Sequence, residues 1–191
     1  MGKKISIDSA TMINKIYEVI EAKNIFNIPY KKIHILVHPR SYVHAIIKFK
    51  NGLIKIIAHD TTMKIPIFNT IYSNIDKTIR SEKLNINLLN NLNFRRVDNK
   101  RYPIIKLLKL IPNEHTLFDT VIVSTNDILV ELFLKKRIKF IDIEKKLFHI
   151  IKSKVFLKYK NIYPRNTKDI INLNKYGRLK VLENMYKSAH V

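Results

Sequence analysis

The sequence predicts an α+β protein, with an amino-terminal helix and a small sheet followed by a carboxy-terminal helical bundle. Three observations predict it. Apolar residues Met12, Ile13, Ile16, Tyr17 and Ile20 recur at helical spacing. Two runs rich in Ile and Val flank Asn51-Gly52, a strong short hairpin signal. Beyond residue 102, helical patterns dominate to the end of the chain.

Each element has a local cause. Asp8-Ser9-Ala10-Thr11 offers capping side chains directly before the first apolar-periodic run, so a helix is expected over residues 9–26 with Ser9 at its start. Asn27-Ile28-Pro29 leads from it into a strand expected at 33–37. Further strands at 43–50 and 53–58 carry the β-branched residues of a half-buried sheet. His34, His38 and His44 fall here, but their spacing suits neither one helix face nor a compact zinc motif. Residues 73–101 are polar and irregular, with Asn85, Asn87, Asn90, Asn91 and Asn93 among leucines, and read as a connecting arm. Helices follow at 103–111, 120–136, 142–154 and 167–186, enough to bury a common core. Asp142 can cap the third of these, in which Ile143, Leu147, Ile150 and Ile151 keep helical spacing. Gly177 costs about 1 kcal/mol relative to Ala inside the last pattern, so a bend or break is expected there.

The first helix also carries candidate chemistry. A helix amino end presents free backbone N–H groups and the positive end of its dipole, which together attract phosphate. Ser9 adds a hydroxyl donor, Asn14 an amide and Lys15 a full charge. Glu18 follows Asn14 by four residues and Lys15 by three, so these three side chains can share one face. A carboxylate beside a phosphate-binding lysine is a suitable ligand for a divalent cation bridging protein and substrate. The plain alternative is a simple cap at Ser9, a solvated Asn14 and a surface Lys15–Glu18 pair worth about 0.2–1 kcal/mol. The residues alone leave both readings open.

Composition narrows the class. A chain of 191 residues holds one or two domains, and 46% hydrophobic content is enough for a core. Cysteine is absent, which removes disulfide and thiolate–metal frameworks. No apolar run approaches the roughly 18 residues of a membrane span. No apolar segment follows Lys3-Lys4, so a signal peptide is not expected. The net charge of +21 invites a nucleic-acid reading. Yet the lysines are dispersed, as in Lys31-Lys32, Lys135-Lys136-Arg137 and Lys145-Lys146, and no RNA-binding motif accompanies them. Heavy use of Ile, Asn and Lys fits drift under an A+T-rich genome, so nucleic acid is an unfavoured partner.

Several motifs together resemble a known family. The run MGKKISIDSATMINK, followed by EVIEA, is similar to the signature after the active-site flap of 1-deoxy-D-xylulose 5-phosphate reductoisomerases. VHPRSYVHAIIKF, MKIPI, RYPIIKL and TNDILVELFLKKRIKFIDI resemble later motifs of that family, in the family's order and spacing. The resemblance implies a carboxy-terminal half: residues 1–75 as part of the catalytic domain, 76–101 as an arm, and 102–191 as a helical domain. It implies an NADPH-dependent isomerisation and reduction of 1-deoxy-D-xylulose 5-phosphate to 2-C-methyl-D-erythritol 4-phosphate, in non-mevalonate isoprenoid synthesis. It places Ser9, Asn14, Lys15 and His44 at substrate-binding positions, with Lys15 and Glu18 as catalytic. Glu18 becomes one of three carboxylate ligands to Mg²⁺ or Mn²⁺, and Met1, Gly2 and Met63 lie on the cofactor side. His44 is as well suited to a structural role. A homodimer, a separate amino-terminal half and a bacterial cytoplasm, or a plastid in a eukaryote, are further implications.

The departures are equally specific. Ile16-Tyr17 stands where the family has Gly-Leu, Arg40 replaces a Gln, and Thr61-Thr62 replaces Pro-Asp. Ser124-Thr125-Asn126-Asp127 stands for an NAANE-type run. The three glycines, at positions 2, 52 and 177, cannot form a dinucleotide-binding fingerprint. The chain therefore reads as a fragment, a split-gene product or an eroded gene, and alone it is expected not to catalyse the reaction. A non-catalytic remnant of the same fold is the alternative.

Overall fold

The computed structural model describes residues 2–187. Twelve helices and strands follow in chain order among these residues. Helix α1 (Lys3–Thr11) is followed at once by α2 (Ile13–Phe26). Then come β1 (Leu36–Val37), β2 (Val43–Lys48), β3 (Ile54–Ala58), α3 (Lys64–Ile71), α4 (Ile86–Asn90) and β4 (Arg95–Arg96). Helices α5 (Phe118–Leu134), α6 (Phe140–Ile151), α7 (Lys154–Leu157) and α8 (Thr167–Lys187) complete the chain. The α+β class read from the sequence holds, with helix predominating.

Two compact units result: Met1–His34 with Asp98–Val191, and Ile35–Val97. The first contains α1, α2 and the later helices, so the phosphate-site candidate helix belongs with the carboxy-terminal bundle by contact. Of residues 76–101, read as an arm, 76–97 fall in the second unit, where β4 pairs with β1, and 98–101 in the first.

Helix α5 is the axis of the first unit. Its Phe118, Val121, Ile122, Ile128, Leu129 and Leu132 are buried, and it packs against α8, α6 and α1. Helix α6 contributes Ile143, Leu147, Ile150 and Ile151, the four residues whose spacing marked it. Asp142 caps from within: the helix starts at Phe140, and the Asp142 carboxylate accepts the Lys139 N–H at 2.9 Å. Ser153 separates α6 from α7, dividing what the periodicity joins. The segment expected as a helix at 103–111 is a 3₁₀ helix, Pro103–Lys109, entered through proline at its first turn. Helix α8 runs through Gly177 without interruption, against expectation. A Cβ there would lie 2.4 Å from Ser124 Oγ, so glycine serves close packing of α8 on α5.

The second unit holds a hairpin and small helices. β2 and β3 pair antiparallel with Ile46 opposite Ile56 and Lys48 opposite Ile54, and a bulge lies between Val43 and Ala45. Gly52 turns the hairpin at φ 88°, and Asn51 Oδ1 accepts the Leu53 N–H at 3.1 Å. The strand expected at 33–37 is shorter, because Tyr30–Lys32 forms a 3₁₀ turn and only Leu36–Val37 pairs. The sheet is not half-buried in this chain: Ile54 is 55% and Ile56 49% exposed.

Candidate functional site

The amino-terminal helix differs from expectation in one decisive way. It is two helices joined at Met12, which adopts the left-handed conformation (φ 68°, ψ 12°). Ser9 is therefore not a cap but sits in the last turns of α1, exposed, with its carbonyl accepting the Met12 N–H at 3.1 Å. Thr11 Oγ1 accepts the Ile13 N–H at a long 3.5 Å, and Met12 gives α2 no side-chain cap. Its first turn begins one residue beyond Met12, so Asn14 and Lys15 stand at a helix amino end as the phosphate reading requires.

The structure brings together Asn14, Lys15 and Glu18. Asn14 Nδ2 donates to Glu18 Oε1 at 3.2 Å, and Lys15 Nζ to Glu18 Oε2 at 2.7 Å. Both charged side chains are about half exposed, at 48% and 47%. An ion pair so placed is worth less than about 1 kcal/mol, so an incoming anion or cation can redistribute it at little cost.

The opposite face of α2 is apolar. Ile13, Ile16, Val19 and Ile20 are buried, which leaves the polar trio on the open side. Ile16 is fully buried, so the β-branched residue standing where the family has glycine is absorbed by the core. Likewise Thr62 Oγ1 accepts the Lys64 N–H at 3.3 Å, and thus serves the start of α3.

The remaining candidates are elsewhere. His44 and Met63 belong to the second unit. The His44 ring stacks on His59, with centroids 3.7 Å apart and planes 12° apart, and its Nε2 lies 3.3 Å from the His59 carbonyl. Met63 precedes α3 and is 69% exposed. Gly2 precedes α1, and its carbonyl accepts the Ser6 N–H at 3.2 Å. Met1 lies outside the described residues.

A polar cluster that sequence reasoning missed lies under the joint. Asp8 is buried, and its Oδ1 accepts from Asn126 Nδ2 of α5 at 2.8 Å. Its Oδ2 takes Lys4 Nζ at 2.6 Å, and Lys4 Nζ lies 3.0 Å from Asp127 Oδ1. Arg178 of α8 reaches Asp127 at 3.5 Å and Glu131 at 3.1 Å. Burial works to lower the Lys4 pKa, but its bonds to Asp8 and Asp127 outweigh this and hold it above the ordinary value. Tyr17 of α2 enters the same cluster. Burial first, then the charges of Asp8 and Asp127, push its phenol well above the usual range. The i, i+4 spacing of Lys4 and Asp8 was the available sequence signal.

For a metal, the donor set within the chain is incomplete. Among the described residues no group of three or more His, Cys, Asp or Glu could hold an ion. Glu18 offers one exposed carboxylate, which suffices for a single ligand and not for a site by itself.

Comparison with known proteins gives this arrangement its family. Residues 60–180 match the DXP reductoisomerase C-terminal domain family, and residues 1–26 match the 1-deoxy-D-xylulose 5-phosphate reductoisomerase C-terminal domain. The 1-deoxy-D-xylulose 5-phosphate reductoisomerase of Pelagibacter ubique (strain HTCC1062) is 56% identical over 181 residues, covering 95% of this chain and 47% of the relative. The Zymomonas mobilis reductoisomerase solved in complex with NADPH superposes with a TM-score of 0.81 at 31% identity, over 95% of this chain and 47% of that one. A reductoisomerase solved with fosmidomycin and magnesium gives 0.85 at 27% identity, over 97% and 47%. The chain belongs to the 1-deoxy-D-xylulose 5-phosphate reductoisomerase family. It spans about half the length of the curated relatives it matches.

Proposed function

We propose that this chain is the part of a 1-deoxy-D-xylulose 5-phosphate reductoisomerase that grips the substrate phosphate and lends one ligand to the catalytic metal. The observation that carries the reading is the convergence of Asn14, Lys15 and Glu18 at the start of α2. Lys15 supplies the full positive charge, Asn14 an amide donor, and the helix amino end the positive end of its dipole. Ser9, at the end of α1, adds a hydroxyl across the joint. Glu18 is positioned to hold Mg²⁺ or Mn²⁺ with carboxylates from the remainder of the enzyme. When bound, such an ion polarises substrate oxygens as a Lewis acid.

The relatives support NADPH as the reductant: one neighbouring structure holds it, and another holds magnesium. Met63 and Gly2 are the positions of this chain assigned to the cofactor side, and His44 to the substrate side. Residues 1–75, 76–101 and 102–191 are proposed as catalytic part, arm and helical domain. The departures at Ile16 and Thr62 are structurally accommodated, which favours a working half over a decayed remnant. A homodimer and an amino-terminal half are the proposed partners. The exposed Ile46, Ile47, Ile54, Ile56 and Ile57 are the surface a second copy would cover. No helix of the described residues is long and apolar enough to cross a membrane. The bacterial relatives support a bacterial cytoplasm.

The test is reconstitution. The chain is co-expressed with the amino-terminal half of a reductoisomerase relative, and substrate-dependent NADPH oxidation is measured. Lys15→Ala is expected to lower turnover by roughly a hundred-fold or more, and Glu18→Gln to remove the response to Mg²⁺ or Mn²⁺. Unchanged activity in either variant contradicts the assignment.

A further inference from the structure

The cluster beneath the α1–α2 joint touches neither phosphate nor metal in this reading, yet it borders the residues that do. We propose that Asp8 and Asn126 are positioning residues: their buried hydrogen bond sets the left-handed joint at Met12 and so the pose of Asn14, Lys15 and Glu18. The consequence for ligand binding rests on the phosphate reading of α2; the consequence for the joint does not.

The geometry is direct. Asp8 lies one turn before the joint, and both its carboxylate oxygens are engaged: Oδ1 by Asn126 Nδ2 and Oδ2 by Lys4 Nζ. Asn126 comes from α5, the most buried helix of the unit, so this end of α1 is fixed to the core. On the far side of the joint, Tyr17 of α2 brings its ring within 6.0 Å of Lys4 Nζ. The cluster therefore holds α1 by hydrogen bonds and borders α2 through the Tyr17 ring. Something must hold them, because a non-glycine residue in the left-handed region costs about 1–3 kcal/mol and persists only when its surroundings over-determine it. The joint's own bonds are local: Met12 N–H to Ser9 O at 3.1 Å, Lys15 N–H to Met12 O at 3.2 Å, Thr11 Oγ1 donating to Ile7 O at 3.1 Å, and Ile13 N–H donating to Thr11 Oγ1 at 3.5 Å.

Energetics favours geometry over bulk stability as the cluster's role. Well-packed apolar residues of similar volume often match or exceed a buried ionic group in stability. What they cannot supply is direction. The Asp8–Asn126 bond requires one rotation of α1 about its axis.

Amide hydrogen exchange on the full chain tests the proposal, with Asp8→Ala and Asn126→Ala compared against the parent. In the folded variants, exchange at the Met12 and Lys15 amides is expected to speed up by roughly ten-fold or more relative to amides of α6 and α8. General loss of stability would move both sets alike. Titration with inorganic phosphate is expected to give weaker shifts at Asn14 and Lys15 in the variants than in the parent. Unchanged relative protection at Met12 and Lys15 overturns the proposal. So does complete unfolding of both variants, since the cluster would then be a general core support. A parent chain that shows no phosphate shift contradicts the phosphate reading instead, and the exchange result still decides the joint.

Discussion

Helix α5 and the β2–β3 hairpin use similar apolar side chains to opposite ends. In α5, Val121, Ile122 and Leu129 are fully buried, and even Ser124, Thr125 and Asn126 lie out of solvent. In the hairpin, Ile46, Ile47, Ile56 and Ile57 are each at least 40% exposed. The difference is architectural. A central helix is covered over most of its surface by its own chain, whereas a two-stranded ribbon has two faces and little of its own to lay across them. The first unit has a core of its own, though Ile25, Phe26, Ile141 and Leu179 stay exposed on it; the hairpin has no such core and carries its apolar residues on the surface.

That contrast is broken most sharply by core deletion. Leu129→Ala is expected to cost about 2–5 kcal/mol, since it leaves a cavity at the centre of the unit. Ile56→Ala should cost less than about 1 kcal/mol in the isolated chain, because its side chain is already half in water. Chemical denaturation of both variants checks this. Equal losses would mean that the hairpin is covered in solution.

A second prediction concerns the partly buried carboxylate at the start of α5, whose Oδ2 lies 3.8 Å from His115 Nδ1. Asp119 has a carboxyl pushed up to about 6 from 3.8, by burial first, with the Lys23 charge pulling the other way. Its Oδ1 has no hydrogen-bond partner among the described residues. Because the folded value is raised, ionised Asp119 costs stability above about pH 6, and the cost fades as pH falls through 6 toward 4. Asp119→Asn is therefore expected to stabilise the chain on the order of 1–3 kcal/mol at about pH 8, and little at about pH 4. Thermal unfolding at the two pH values measures it; a gain of equal size at both contradicts the assignment.

The smallest expected effect is at Gly177. Alanine there gains about 1 kcal/mol of helix propensity but forces its Cβ against Ser124. Ser124 is fully buried and its Oγ bonds to the Val121 carbonyl at 3.2 Å, so it cannot retreat freely. A net loss of about 1–2 kcal/mol is expected, relieved by adding Ser124→Ala. The double variant should melt no lower than the parent.

These cases show what the sequence makes legible. Periodicity reveals α6, because Ile143, Leu147, Ile150 and Ile151 all face one core, and it places α2 correctly from Ile13 to its end. It misses the joint, because Met12 carries no left-handed preference and Asp8-Ser9 has the composition of a cap. Asp8 in fact bonds to Asn126, 118 residues away, a pairing no local pattern can announce. The half-buried sheet is misjudged for a related reason: β-branched residues state that a surface can be covered, not that this chain covers it. Asn14, Lys15 and Glu18 are legible because their encounter is local, set by helix spacing alone.

The central claim is that the start of α2 is an anion site built on Lys15. The most direct measurement is a low-salt titration of the chain with inorganic phosphate, followed by amide NMR, beside the Lys15→Ala variant. Saturable shifts confined to Ile13, Asn14 and Lys15, and lost in the variant, are the predicted result. Shifts spread over the dispersed lysines such as Lys145 and Lys146, or unchanged by Lys15→Ala, would contradict it.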